Sequence, residues 1–183
     1  GRSFAKYYKA NARAGVNWSK FNNIRVFPDS DSDPNNNPTK IQTTESVSQS
    51  YGLSFSTNYK TLPNLTLGYN FSVNDNFSDV IYVDSPTVTL EYFFLDAFSF
   101  VSEYSYYHNR NKSNTIDSEY DFLTASLMYQ KKDSKWEWKL SGTNLLDTKS
   151  LDTNSFSQLG GTSTFSSYRV QPRFVILSLK YRL

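Results

Sequence analysis

The residue pattern that decides the fold is Leu65-Thr66-Leu67-Gly68-Tyr69-Asn70-Phe71-Ser72-Val73-Asn74. Apolar and polar residues alternate here without a break, and the polar set is limited to Thr, Gly, Asn and Ser. Successive side chains of a β-strand point to opposite sides, so a period of two is typical of a strand with one apolar face and one polar face. The segment therefore predicts a strand whose two faces meet different environments.

The same alternation recurs along the chain and predicts eight antiparallel strands. They lie within residues 8–19, 47–59, 65–74, 87–94, 98–106, 123–129, 136–141 and 175–183. The predicted connections alternate between short turns and long loops: 60–64, 95–97 and 131–135 are short, whereas 27–40, 75–85, 108–117 and 144–171 are long. Transmembrane β-barrels alternate in this way because their periplasmic turns are short and their extracellular loops are long. We therefore predict an all-β, antiparallel transmembrane β-barrel in a Gram-negative outer membrane, with a periplasmic C-terminus.

The composition agrees with a barrel whose outside meets lipid. Tyr, Phe and Trp make up 17% of the chain, yet its mean hydropathy resembles that of a water-soluble protein. The apolar faces of the predicted strands hold about forty residues and no Lys, Arg, Asp or Glu, although 20% of all residues are charged. A charge at the bilayer midplane costs about 2–4 kcal/mol. A water-soluble β-sandwich is the alternative that also alternates, but we expect it to bury more Leu, Ile and Val.

Several function classes are not expected. The 19 basic and 17 acidic residues nearly balance and form no basic cluster suited to nucleic acid. The chain has no cysteine, and His108 is its only histidine, with no nucleophile motif beside it, so we predict no enzyme, no catalytic residue and no cofactor. The stretch Asp29-x-Asp31-x-Asp33 resembles the start of a calcium loop but lacks the Gly and Glu that such a loop needs, so we predict no metal site.

Two motifs near the C-terminus are more specific. Asn144-Leu145-Leu146-Asp147 follows the penultimate predicted strand, and Gln171-Pro172-Arg173-Phe174 opens the last one. Together they resemble the C-terminal end of Bacteroidetes TonB-dependent receptors and of the related outer-membrane β-barrel family, most closely over residues 88–183. The final strand also resembles that family's assembly signal, carried here by Leu177, Leu179, Tyr181 and Leu183, with Leu183 where the family usually has Phe.

The resemblance implies that residues 1–183 are one β-barrel segment, the last eight strands of a 22-stranded barrel. The plug domain that fills such a barrel would lie outside this chain. The implied function is TonB-dependent import of a bulky nutrient across the outer membrane. The implied partners are outer-membrane lipid, the remainder of the barrel and its plug, TonB, and a surface lipoprotein.

Two alternatives remain open from the sequence. The chain could be a self-contained eight-stranded barrel, although its small inward residues favour a wider lumen. It could also be a structural or partner-binding subunit of an outer-membrane complex that transports nothing. In either case the longest predicted loop contains the best candidates for contact with a ligand or partner, because extracellular loops often carry binding. These candidates are Phe156, Phe165 and Tyr168.

Overall fold

All regular structure in the described part of the chain is β-strand. The computed structural model describes residues 2–4, 6–26, 39–75, 79–157 and 162–182. The strands are β1 (Arg2–Phe4), β2 (Tyr8–Val26), β3 (Thr39–Thr57), β4 (Asn64–Asp75), β5 (Val80–Phe94), β6 (Phe98–Asn111), β7 (Asp117–Gln130), β8 (Trp136–Thr143), β9 (Ser150–Ser157), β10 (Thr162–Arg169) and β11 (Phe174–Tyr181). No helix of the described residues is long and apolar enough to cross a membrane.

The strands form one large antiparallel sheet and one small hairpin. The large sheet has the order β1-β2-β3-β4-β5-β6-β7-β8-β11, and β9 pairs only with β10. The eight long strands predicted from the sequence correspond to β2 to β8 and β11, so the all-β antiparallel fold is confirmed. The described residues include no pairing between β2 and β11, and the sheet is not closed.

The strand registers bring the apolar sides of all eight strands together. Tyr69 lies opposite Leu53, and Val88 lies opposite Leu67. At the other edge of the sheet, Leu177 lies opposite Leu140. Directly paired residues project from the same face of a sheet, so these registers create one continuous apolar face. We call it the outer face and call the opposite, polar side the lumen face.

The outer face is not covered by protein. Among the described residues, no hydrophobic side chain is buried. Val16 is 70% exposed, Leu53 60% and Leu177 61%. The hydrophobic effect stabilises a water-soluble domain only when such side chains are removed from water. The outer face of this sheet therefore needs an apolar environment, such as the lipid of a membrane provides.

Several predicted loops are shorter than expected because the strands continue past the apolar segments. β5 begins at Val80, inside the predicted loop 75–85, and β6 continues to Asn111, inside the predicted loop 108–117. The predicted loop 144–171 contains the β9–β10 hairpin. Backbone pairing continues after the outer side chains become polar, because those side chains no longer have to face hydrocarbon. The stretch 27–38, with its three alternate aspartates, lies outside the described residues.

The two ends of the sheet differ in their connections. The short-turn end carries the β1–β2 connection and the connections 58–63, 95–97 and 131–135, and the long-loop end carries the connections that follow β2, β4, β6 and β8. The tightest turn is Leu95-Asp96, where both residues have positive φ, at 52° and 50°. Two adjacent positive φ values are typical of the type I′ turn, whose twist matches that of the strands it joins.

Candidate functional site

The long-loop end is organised around the buried side chain of Asn144, which is 1% exposed. Its Nδ2 donates to the carbonyl oxygens of Thr148 and Gln171, both at 2.9 Å. Its Oδ1 accepts from the backbone N–H of Thr148, also at 2.9 Å. Asn144 has a φ of 51°, in the left-handed region that Asn tolerates better than most residues. The asparagine thus joins the start and the end of the 144–173 connection.

Further bonds attach this connection to β7. The Leu145 N–H donates to the Leu123 carbonyl oxygen at 2.9 Å, and the Thr148 hydroxyl donates to the carbonyl oxygen of Asp121. The Lys149 ammonium lies 2.5 Å from the Asp147 carboxylate and holds its pKa below the usual value. The two motifs that carry the sequence resemblance therefore form one clamp, which we call the Asn144 clamp.

The β9–β10 hairpin rises from the Asn144 clamp and contains the three candidate binding residues. The Val170 N–H donates to the Lys149 carbonyl oxygen at 3.0 Å and closes the base of the hairpin. Phe156 is paired with Ser163, Phe165 with Asn154, and Tyr168 with Leu151. The three residues thus lie in the same hairpin, Phe156 on β9 and Phe165 and Tyr168 on β10.

A second feature of this end is a group of charged residues on the outer face, which we call the outer polar band. Its members are Asp84, His108, Arg110, Asp117, Glu119 and Asp121. The Arg110 guanidinium lies 3.0 Å from the Asp84 carboxylate and 3.1 Å from His108 Nδ1. His108 Nε2 lies 2.7 Å from Asp117 Oδ1. Charges do not lie in hydrocarbon without a high cost. The apolar layer must therefore end below this band, and β5 to β7 continue beyond the membrane.

Tyrosines connect the outer polar band to the apolar part of the face. The Tyr69 hydroxyl donates to Asp84 Oδ1 at 2.5 Å, and the Tyr106 hydroxyl donates to Glu119 Oε2 at 2.7 Å. A tyrosine suits a lipid–water boundary because its ring is apolar and its hydroxyl is polar. These tyrosines were predicted as outer-face residues, whereas most of the polar band was assigned to loops, and Glu119 and Asp121 were assigned to neither a loop nor a strand. The continued alternation from Tyr104 to Arg110 was the signal that could have revealed it.

The β6–β7 connection is held by Asn111, which is buried. Its Oδ1 accepts from the backbone N–H groups of Thr115 and Ile116, at 2.9 and 2.8 Å. The Ser113 hydroxyl donates to the Asp79 carboxylate, and this bond lowers the pKa of Asp79 from its usual value. Among the described residues, no group of three or more His, Cys, Asp or Glu side chains is placed to hold a metal ion.

The lumen face is lined mainly by small polar side chains. Arg13 lies across Gly52, and its Nη2 donates to Asn70 Oδ1 at 2.6 Å. A Cβ added to Gly52 would come within 2.8 Å of the Arg13 Cγ, so glycine provides the space for this side chain. Near the long-loop end the rings of Tyr107 and Tyr120 stack with centroids 4.8 Å apart. Phe122 packs edge-on against Tyr120, with centroids 6.0 Å apart, so the polar lumen wall carries a cluster of three aromatic rings near its long-loop end.

The short-turn end carries a row of aromatic rings on the outer face. Phe94 and Phe98 have centroids 5.3 Å apart, and Tyr129 and Trp138 stack at 5.8 Å. Tyr8 and Tyr59 continue the row at the β2 side, with their hydroxyls 2.7 Å apart. The row forms an aromatic belt, which is typical of a membrane interface.

The predicted assembly residues lie at the free edge of the sheet. On β11, Leu177, Leu179 and Tyr181 project from the outer face and pair with Leu140, Trp138 and Trp136 of β8. Leu179 is 66% exposed. Leu183 lies outside the described residues. Their role in assembly stays a prediction.

Comparison with known proteins supports the fold. No protein-family model matches the sequence, and no curated protein is significantly similar to it. Among solved structures, the chain is similar to OmpT (in-vitro folded), an outer membrane protein of Vibrio cholerae, with 13% sequence identity and a TM-score of 0.54. The match covers 98% of this chain and 53% of OmpT, so the chain spans about half the length of that protein. Together with the open all-β sheet, this similarity identifies the fold as that of an outer-membrane β-barrel protein.

Proposed function

We propose that the chain forms the last eight strands of a large, plugged outer-membrane barrel that imports a bulky nutrient with energy from TonB. In this proposal the short-turn end and the C-terminus face the periplasm, and the Asn144 clamp and the β9–β10 hairpin face the outside. The observation that carries the proposal is the pair of unpaired edges of an otherwise lipid-facing sheet.

The unpaired edges argue for further strands. In the described residues, β1 pairs with β2 only at Tyr8–Ala10, and the outer edge of β11 has no partner strand. Each backbone N–H or C=O group left unpaired in hydrocarbon costs several kcal/mol. These edges therefore need partner strands, which the remainder of a large barrel would provide, whereas a self-closed barrel would have to pair β2 with β11.

The lumen face supports a wide interior. A closed barrel of eight strands has an interior that side chains must fill. The inward positions of β3 and β4 instead hold small residues, which are Ser48, Ser50, Gly52, Ser54, Ser56, Thr66, Gly68, Asn70 and Ser72. Small side chains leave a hole in a narrow barrel, but they suit the wall of a wide lumen that holds water or a folded plug.

Cysteine cross-linking in native outer membranes tests the barrel size. Residues 1–183 contain no cysteine, so this segment contributes no background thiol to the introduced pairs. The pair Ala12→Cys and Leu53→Cys, which are directly opposite on β2 and β3, is the positive control. We expect no disulfide when Ala12→Cys is combined with Cys at Val175, Leu177 or Leu179 on β11. A β2–β11 disulfide as efficient as the control would establish a self-closed eight-stranded barrel and overturn the proposal.

Transport is tested by uptake in cells. We expect uptake of the nutrient to stop when TonB is deleted or the proton gradient is collapsed, because an energised plug must move. A variant in which residues 150–169 are replaced by a short linker should still assemble, since Lys149 and Val170 already meet at the hairpin base. The structural, partner-binding alternative would be supported by a different result: the protein assembles, and its deletion changes the retention of partner proteins but does not change uptake.

A further inference from the structure

The connection between β7 and β8 combines free positive charge with interfacial aromatic rings. It contains Lys131, Lys132 and Lys135, all exposed, against one carboxylate, Asp133. None of the three lysines forms an ion pair with the described residues, whereas Arg182 nearby is paired with Glu137 at 3.0 Å. We propose that this turn and the adjoining end of β11 bind the headgroup of an anionic phospholipid.

The aromatic side of this site is held by ring contacts. Trp136 and Tyr181 lie on the outer face with ring centroids 4.8 Å apart. The Lys135 ammonium lies 5.8 Å from the centroid of the Tyr181 ring, within the range of a cation–π contact. The Arg182 N–H donates to the Lys135 carbonyl oxygen at 2.8 Å, so the turn is attached to the end of β11. Cation and rings are therefore held at one point of the lipid–water boundary.

The turn itself is shaped by Ser134. Its N–H donates to the Lys131 carbonyl oxygen at 3.1 Å, and its hydroxyl oxygen accepts from the Trp136 N–H at 3.1 Å. These bonds place lysines on both sides of one tight turn. A phosphate diester presents anionic oxygens, and a lysine ammonium group binds them as a compact positive charge. The acyl chains of the bound phospholipid would lie against Trp136 and Leu179, which are 56% and 66% exposed on the outer face.

The charge on the outer surface differs between the two ends of the sheet. The outer polar band at the long-loop end has four carboxylates against one guanidinium and one imidazole. The β7–β8 turn has three ammonium groups against one carboxylate. An anionic headgroup is therefore attracted to the short-turn end and repelled at the other. The assignment to phospholipid rests on the orientation proposed above, in which this end meets the periplasmic leaflet.

Native mass spectrometry of the purified full-length protein tests the site. The protein in detergent is titrated with phosphatidylglycerol and, separately, with phosphatidylcholine. Each lysine close to an anionic membrane surface contributes about 1 kcal/mol, or about a fivefold change in affinity. We expect K131Q/K132Q/K135Q to weaken phosphatidylglycerol binding by about 100-fold and to leave phosphatidylcholine binding unchanged.

The matched control is K20Q/K112Q/K149Q, which removes three positive charges from the long-loop end and should keep the wild-type affinity. The difference between heated and unheated electrophoretic mobility confirms that each variant is folded. Equal losses in the two triple variants, or equal binding of the two lipids, would overturn the proposal. Lipid binding in detergent requires neither TonB nor nutrient. The lipid measurement can therefore be interpreted even if the import proposal fails, and the uptake measurement can be interpreted even if lipid does not bind.

Discussion

At the scale of single residues, adjacent positions of one strand have opposite requirements. Leu53 and Ser54 follow each other on β3, but Leu53 projects into lipid and Ser54 into the lumen, where Asn11 Nδ2 donates to its hydroxyl at 3.3 Å. Ser54 also lies opposite Gly68 on β4, and the Thr87 side chain extends over that glycine. Burial does not distinguish the two sites as it would in a water-soluble protein. The solvent that each face meets makes the difference.

This contrast predicts the outcome of two arginine substitutions. Leu53→Arg should destabilise the assembled barrel by about 2–4 kcal/mol, because the guanidinium would enter hydrocarbon. Ser54→Arg, one residue away, should change stability by less than about 1 kcal/mol because its guanidinium stays in water. Urea unfolding of each variant from lipid vesicles, followed by tryptophan fluorescence, measures both values. Equal losses would mean that the faces are assigned incorrectly.

The Asn144 clamp gives a second prediction at this scale. Asn144→Ala removes three hydrogen bonds at a buried position and should cost about 3 kcal/mol locally. We expect faster amide hydrogen exchange in β9 and β10 and faster proteolysis of 144–149, with β2 to β6 unaffected.

Asn114→Ala is the control, since Asn114 also has a positive φ, 55°, but lies exposed in the β6–β7 connection. That variant isolates the backbone cost of alanine in the left-handed region, about 1 kcal/mol. If both variants perturb the hairpin equally, the side-chain bonds of Asn144 do not hold it.

At the scale of elements, the strand cores could be predicted from the sequence and their ends could not. Alternation of apolar and polar residues located β4 almost completely, because its two faces differ from each other in hydrophobicity along the whole strand. The end of β6 was assigned to a loop, because His108 and Arg110 are polar like their neighbours. Backbone pairing in water needs no apolar face, so periodicity of hydropathy disappears while the strand continues.

The hairpin and the clamp show the same limit. Asn144 and Gln171 were recognised as parts of motifs, but they are 27 residues apart and meet only in the folded chain. Strands β9 and β10 are rich in Ser and Thr, which are common in loops as well as in exposed strands. Their pairing depends on the clamp that brings their ends together.

The turn between β5 and β6 offers a prediction of increased stability. Leu95 and Asp96 both have positive φ, which costs non-glycine residues about 1–2 kcal/mol each, less for Asp and Asn. Replacing the pair by Asn-Gly, the preferred type I′ sequence, should stabilise the barrel by about 1 kcal/mol. The unfolding midpoint in urea measures the change. Asp133→Gly, in the longer β7–β8 turn, serves as a comparison because it relieves a single positive φ. A lower urea midpoint for the Asn-Gly variant than for the wild type would contradict the turn assignment.

At the scale of the whole molecule, the fold depends on its solvent more than on its own contacts. Neighbouring strands supply the backbone hydrogen bonds, but the described residues provide no buried apolar core to stabilise the sheet in water. A bilayer stabilises it in two ways: it accepts the apolar side chains, and it excludes water that would compete for backbone groups. Folding and membrane insertion should therefore be one event.

This coupling predicts how the protein refolds. After dilution from urea into buffer alone, we expect no native sheet and rapid aggregation. After dilution into phospholipid vesicles, we expect a β-sheet circular dichroism spectrum and a blue shift of the tryptophan fluorescence with the same time course. All three tryptophans, Trp18, Trp136 and Trp138, lie on the outer face. The Leu53→Arg variant should slow both signals together. A folded, monomeric protein in lipid-free buffer would show that another surface of the chain covers the outer face and would overturn the membrane assignment.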